Sequence, residues 1–114
     1  MGPPQWWPAA RASGMDLEFH QLEMRYEHLH LRRPERERRL LASLAEKGQQ
    51  VPIVVVALCE EEGRYQVIDG HRRVRLLQRL GQDTVQATVW DMSEAEALVL
   101  LRSLRSAEGE TAIE

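Results

Sequence analysis

The alternation of apolar and polar residues divides the chain into predicted strands. Residues 51 to 58, VPIVVVAL, are β-branched and almost entirely apolar, which is typical of a strand covered on both faces. Residues 60 to 63 form a turn and residues 64 to 68 return, so this pair is predicted to be a hairpin with a loop of about four residues. Shorter alternating runs predict two further strands, at residues 17 to 22 and 84 to 90.

Three segments carry apolar residues at helical spacing. The first begins at Pro34 and ends at Gly48, and its predicted apolar face consists of Leu40, Leu41, Leu44 and Ala45. The second follows Gly70 and ends at Gly81, with a face formed by Val74, Leu77 and Leu80. The third begins with the capping box from Ser93 to Glu96 and runs to about Arg105. The order of elements predicts an α+β fold with a small mixed β-sheet packed with about three helices.

The length of 114 residues is sized for one compact domain. Residues 1 to 15 are rich in Pro, Gly and Ala without a hydrophobic period, and we interpret them as a flexible N-terminal arm. Residues 16 to 106 are predicted to form the domain, and residues 107 to 114 to start a linker or a further helix.

Composition excludes several classes of protein. The longest uncharged apolar run, from Val51 to Cys59, has nine residues, too few to cross a bilayer. The first residues do not resemble a secretory signal, so we expect a cytosolic location. One cysteine cannot form an internal disulfide, and the histidines lack the further ligands that a metal site needs. The net charge of -3 includes only one lysine, Lys47, among 15 basic residues, so the chain is rich in arginine, which suits phosphate recognition.

The strongest candidate for chemistry is the run from Val67 to Arg75, in which a buried strand leads through Gly70 into a helix. The first turn of that helix carries His71, Arg72 and Arg73. The amino end of a helix attracts anions, and a glycine there lets a ligand approach the main chain. Because basic side chains are unfavourable at the positive end of the helix dipole, an anion is expected to neutralise them.

Two simpler interpretations of this run stay open. The arginines can form a solvated face, with Asp69 capping the helix and pairing with them. Asp69 and His71 can alternatively serve as an acid–base pair, although capping is the better prediction for Asp69.

Two strings in the chain, LLASLAEKGQQVPIVVV and GRYQVIDGHRRVRLLQRLGQDTVQATVWDMSEAEAL, resemble the N-terminal domain of the ParB family of partition proteins, which is related in fold to sulfiredoxin. The similarity runs from about Leu17 to Arg105. It implies binding of CTP, with the phosphate-binding turn of the family on Gly70, His71, Arg72 and Arg73 and a further basic position at Arg75. The Pro-Arg motif on the cytidine side of the family is matched loosely around Arg33, which would face the base or the sugar.

The chain departs from the family at the positions that serve Mg²⁺. The acidic residue of the phosphate turn is His71, which can contact or sense phosphate but cannot hold a cation as a carboxylate does. The acid–Asn pair that helps to position Mg²⁺ falls on Arg102 and Ser103. The chain therefore does not match the residues that the family uses for magnesium-assisted hydrolysis; CTPase activity stays an alternative, and no catalytic residue is assigned.

The resemblance further implies a homodimer that binds DNA through a helix-turn-helix domain, which in the family follows this one. The acidic net charge agrees with DNA binding elsewhere in the protein, since a duplex-binding domain usually carries surplus positive charge. Two alternatives remain: a nuclease or CTPase of the same superfamily, for which Asp69 is the one local carboxylate, and a dimerisation module that binds no nucleotide.

Overall fold

The structure, a computed structural model, describes residues 12–27 and 33–108. These residues form a five-stranded mixed sheet in the order β1-β5-β3-β4-β2. The strands are β1 (Ala12–Glu18), β2 (Leu22–Glu23), β3 (Ile53–Ala57), β4 (Tyr65–Asp69) and β5 (Thr84–Trp90), and the helices are α1 (Pro34–Lys47), α2 (His71–Arg79) and α3 (Glu94–Glu108). The predicted α+β class with a mixed sheet and three helices is confirmed.

The apolar strand β3 lies at the centre of the sheet. It pairs antiparallel with β4, as the predicted hairpin requires, and parallel with β5. The connecting loop is longer than predicted because regular pairing stops at Ala57 and resumes at Tyr65. Within that loop the Leu58 N–H donates to the Arg64 carbonyl at 2.9 Å.

Helices cover both faces of the sheet. One apolar cluster joins Val55 and Val67 to side chains of α1 and α2, and the other joins Val56 and Ile68 to side chains of α3. Neighbouring strand residues point to opposite faces, so α1 and α2 pack on one face and α3 on the other. Within the described ranges, no helix has both the length and the apolar character needed to cross a membrane.

The first strand begins earlier than the sequence predicts. Residues 12 to 15, assigned to the flexible arm, belong to β1, which pairs antiparallel with β5 from Ala12 opposite Trp90 to Glu18 opposite Thr84. The arm boundary at residue 15 is therefore wrong for these four residues; residues 1 to 11 lie outside the described part. The predicted strand at 17 to 22 is interrupted by a 3₁₀ turn, Phe19–Gln21, before β2.

The predicted helix boundaries are close to the observed ones. Pro34 occupies the first turn of α1, and Gly48 ends the helix with a positive φ of 75°. Ala45, predicted on the apolar face of α1, is exposed, whereas Leu44 is buried. The capping box of α3 is confirmed: the Glu96 N–H donates to Ser93 Oγ at 3.2 Å, and the Ser93 N–H donates to Glu96 Oε1 at 3.1 Å.

The side chain of Gln49 fastens the approach to β3 onto β5. Its Nε2 donates to the carbonyls of Val51 at 3.0 Å and Gln86 at 2.8 Å. Its Oε1 accepts from the Gln86 N–H at 2.8 Å. The side-chain amide of Gln49 therefore pairs with the main chain of Gln86 just before β3 begins, as a backbone group of a neighbouring strand would.

Candidate anion-binding turn

The turn between β4 and α2 is built around Gly70. This residue is buried and adopts a left-handed conformation with φ of 102°. A Cβ atom at this position would lie 2.6 Å from Ile53 Cγ2 and 2.9 Å from Ile53 Cβ. The space that a side chain would fill at Gly70 is therefore occupied by Ile53, and the approach of a ligand to the main chain of Gly70 stays a prediction. Glycine is required here by the backbone conformation and by close packing against β3.

The first turn of α2 concentrates positive charge. It contains His71, Arg72 and Arg73 and no acidic residue, so the charges of the two arginines add to the positive end of the helix dipole. His71 is 2% exposed and Arg73 is 9% exposed, whereas Arg72 is half-buried. Arg73 is thus enclosed by the protein, whereas Arg72 is partly accessible to solvent.

Asp69 does not cap α2. Its Oδ1 accepts a hydrogen bond of 2.6 Å from Arg105 Nη2, and the N-cap of α2 is Gly70, which offers no side-chain oxygen. The predicted capping role is therefore wrong, because the carboxylate turns toward α3 on the other face of the sheet. This ion pair fastens α3 to the strand that leads into the Gly70 turn. Within the described part of the chain, no three His, Cys, Asp or Glu side chains lie close enough together to hold a metal ion.

Arg75, predicted as a further phosphate-binding residue, lies between two carboxylates. Its Nη1 is 2.7 Å from Glu27 Oε2, and its Nη2 is 3.1 Å from Glu37 Oε2. The side chain of Glu37 is 7% exposed and that of Arg75 is 24% exposed. Sequence reasoning missed this network because its acidic members are 48 and 38 residues away from Arg75 along the chain. The contact of Arg75 with phosphate stays a prediction.

Arg33 lies at the start of α1, the helix that packs against α2. It is the N-cap residue of α1, is exposed, and has an extended backbone with φ of -130°. Its carbonyl accepts from the Glu37 N–H at 2.9 Å, as the first helical hydrogen bond of α1. Since α1 packs against α2, Arg33 lies on the same face of the sheet as the helix that carries Arg72 and Arg73. Its neighbour Arg32 lies outside the described residues.

The family model of the ParB N-terminal domain matches residues 12–102, which include every element from β1 to most of α3. The chain belongs to the ParB N-terminal domain family. The match begins at the first residue of β1, in agreement with the boundary that the structure gives. The predicted resemblance is thereby confirmed.

Two relatives resemble this ParB N-terminal domain in sequence. A protein named as replication protein B of Rhizobium rhizogenes is 45% identical over 60 residues, which cover 53% of this chain and 19% of the relative. The nucleoid occlusion protein of Oceanobacillus iheyensis is 34% identical over 86 residues, which cover 74% of this chain and 30% of the relative. The chain therefore spans less than a third of the length of these relatives.

Crystal structures of a truncated chromosome-partitioning ParB from Caulobacter crescentus share the fold. The complex with CTP-γ-S has a TM-score of 0.71 and 26% identity, with 85% of this chain and 54% of the other covered. The complex with the centromeric parS site has a TM-score of 0.60 and 25% identity, with 75% and 43% covered. These similarities confirm the fold class for the ParB domain described here.

Proposed function

We propose that this ParB N-terminal domain binds CTP, with the triphosphate at the Gly70 turn. The observation that carries the proposal is the basic first turn of α2, which has no acidic residue and directly follows the buried strand β4. An anion placed there gains from the helix dipole and from two guanidinium groups, each able to donate paired hydrogen bonds. The similarity to the Caulobacter protein bound to CTP-γ-S supports CTP as the anion.

Each predicted residue has a distinct proposed role. Arg72 and Arg73 hold the phosphates, the main chain at Gly70 shapes the turn, and Arg33 faces the base or the sugar. His71 is proposed to contact the phosphates, but this residue is 2% exposed and Arg73 is 9% exposed, so both contacts require the side chains to move when the nucleotide binds. Arg75 is already bound to two carboxylates, and its role is treated separately below.

Magnesium does not fit the residues that this chain offers. At the positions where the family carries its acid–Asn pair, the chain has Arg102 and Ser103, both exposed on α3. A cationic guanidinium repels a divalent cation, and one hydroxyl is a poor site for Mg²⁺. We therefore propose binding of the nucleotide without a hydrolysis step.

The role of the whole protein is proposed from its relatives. Their names refer to replication protein B, nucleoid occlusion and chromosome partitioning, and one Caulobacter structure contains the parS site. We propose that the present domain is the nucleotide-sensing part of a homodimeric partition or DNA-regulatory protein. DNA would be bound by a segment outside this domain, in agreement with the net charge of -3.

Thermal unfolding with CTP, ATP, GTP and UTP tests the proposed nucleotide site. At a CTP concentration about 100 times the Kd, binding stabilises the folded state by about 2.7 kcal/mol. For a domain of this size, that corresponds to a rise in Tm of roughly 10 °C. CTP is expected to raise the Tm more than ATP does.

Three variants localise the effect. Arg73→Ala and the more exposed Arg72→Ala should each reduce the CTP shift, and the second guards against loss of fold when the buried Arg73 is replaced. Arg79→Ala removes an exposed arginine from the last turn of the same helix and should keep the full shift. An equal shift with ATP, or a full shift in both first-turn variants, would reject CTP binding at this turn.

A further inference from the structure

Arg75 links three separated parts of the chain. Its guanidinium joins α2 to Glu37 in the first turn of α1 and to Glu27 in the segment after β2. Glu27 precedes and Glu37 follows residues 28–32, so the two carboxylates flank the approach to α1. The guanidinium of Arg75 thus holds Glu27 and Glu37 against the second turn of α2.

Glu37 is the buried partner in this link. A carboxylate that is 7% exposed requires a charged or hydrogen-bonding partner, and Arg75 Nη2 lies 3.1 Å from it. The main-chain N–H of Glu37 donates to the carbonyl of Arg33 at 2.9 Å. The position of Arg33 is therefore coupled to Arg75 through a single helical turn. Arg75 itself lies on the same helix as Arg72 and Arg73.

We propose that Arg75 is a positioning residue, which holds the start of α1 and Arg33 at the correct distance from the first turn of α2. It acts through Glu37 and Glu27 and does not contact the nucleotide. This inference rests on the proposed function, because the arginines that it spaces are those assigned to CTP. It replaces the phosphate contact that the sequence predicts for Arg75.

The direction in which Glu37→Gln changes the affinity for CTP separates the two roles. If Arg75 contacts phosphate, Glu37→Gln removes one of the two carboxylates that neutralise its guanidinium, so CTP should bind more tightly. If Arg75 positions α1, Glu37→Gln loosens the link and CTP should bind about tenfold more weakly, the loss expected when one charge-assisted contact is misplaced. The double variant with Arg75→Gln should then bind no more weakly than Arg75→Gln alone.

Titration calorimetry with CTP measures these affinities well below the Tm of each variant. The control for Glu37→Gln is Glu35→Gln, which removes an exposed carboxylate from the same helical turn. The control for Arg75→Gln is Arg79→Gln. Both controls should bind like the original chain. Tighter binding by Glu37→Gln, or a lower Tm with unchanged affinity, would overturn the positioning role.

Hydrogen exchange without nucleotide tests the same link independently. In Arg75→Gln, the Glu37 amide should exchange about tenfold faster, while amides of α3 keep their rates, because the start of α1 opens locally. Unchanged exchange at the start of α1 would refute the positioning role whether or not CTP binds. If the original chain binds none of the four nucleotides but the exchange effect is present, the proposed function fails and the structural link stands.

Discussion

Replacing Gly70 with alanine is expected to destabilise the folded domain far more than the same substitution at another glycine with positive φ. Two effects act at Gly70. Its φ of 102° disfavours any residue with a Cβ atom. In addition, the new methyl group would lie 2.6 Å from Ile53 Cγ2, well inside van der Waals contact.

The size of the effect follows from these two terms. A left-handed conformation costs a residue other than glycine about 1–2 kcal/mol. Forcing a methyl group into a well-packed core costs about 1–3 kcal/mol more, and Ile53 is 0% exposed in the central strand, so it has little room to shift. We therefore expect Gly70→Ala to lower the free energy of unfolding by about 2–5 kcal/mol.

Urea denaturation followed by circular dichroism measures this loss. Gly81→Ala is the matched control, since Gly81 has φ of 77° and an added Cβ would meet no atom within 4 Å. That variant should show the backbone term alone. In an Ile53→Ala background, which removes Cγ2 but keeps the Cβ at 2.9 Å, the cost of Gly70→Ala should fall but stay above that of Gly81→Ala. If Gly70→Ala costs no more than Gly81→Ala, the close packing of the turn against β3 is refuted.

Two further predictions concern the contacts that hold the sheet and α3. Gln49→Ala should lower the free energy of unfolding by about 0.5–1.5 kcal/mol, because it removes the hydrogen bonds to the main chain of Gln86, which are open to solvent. In urea denaturation the exposed neighbour Gln50→Ala should change little, and equal effects would contradict the proposed clamp. Asp69→Asn should cost about 1 kcal/mol, since Arg105 is 37% exposed and solvent weakens the pair. It should also speed hydrogen exchange in α3, and unchanged exchange there would contradict the fastening role of the pair.

Much of the fold is predictable because it depends on local signals. Pro34 and Gly48 set the ends of α1, the Ser93 capping box begins α3, and the β-branched run places β3 in the centre of the sheet. The early start of β1 has no such signal. Ser13 and Gly14 have low strand propensity, and they are extended because Val89 and Thr88 of β5 pair with them.

The sequence predicts where the candidate site lies, but it does not predict which side chains contact one another there. The strand, glycine and basic helix turn from Val67 to Arg73 are adjacent in sequence, so their chemistry can be inferred directly. The partners of Asp69 and Arg75 cannot, because the fold brings Arg105, Glu27 and Glu37 to them from distances of 36 to 48 residues. The same holds for Ile53, whose approach to Gly70 gives that glycine a packing role.

In the proposed function, the start of α2 receives the phosphates of CTP. Titrating the ¹⁵N-labelled chain with CTP, and following backbone amide signals by NMR, tests this claim residue by residue. We predict that the largest saturable shifts occur at Gly70, His71, Arg72 and Arg73, and that Arg73→Ala weakens them while Arg79→Ala does not. Saturable shifts confined to other parts of the chain, or none at millimolar CTP, would contradict it.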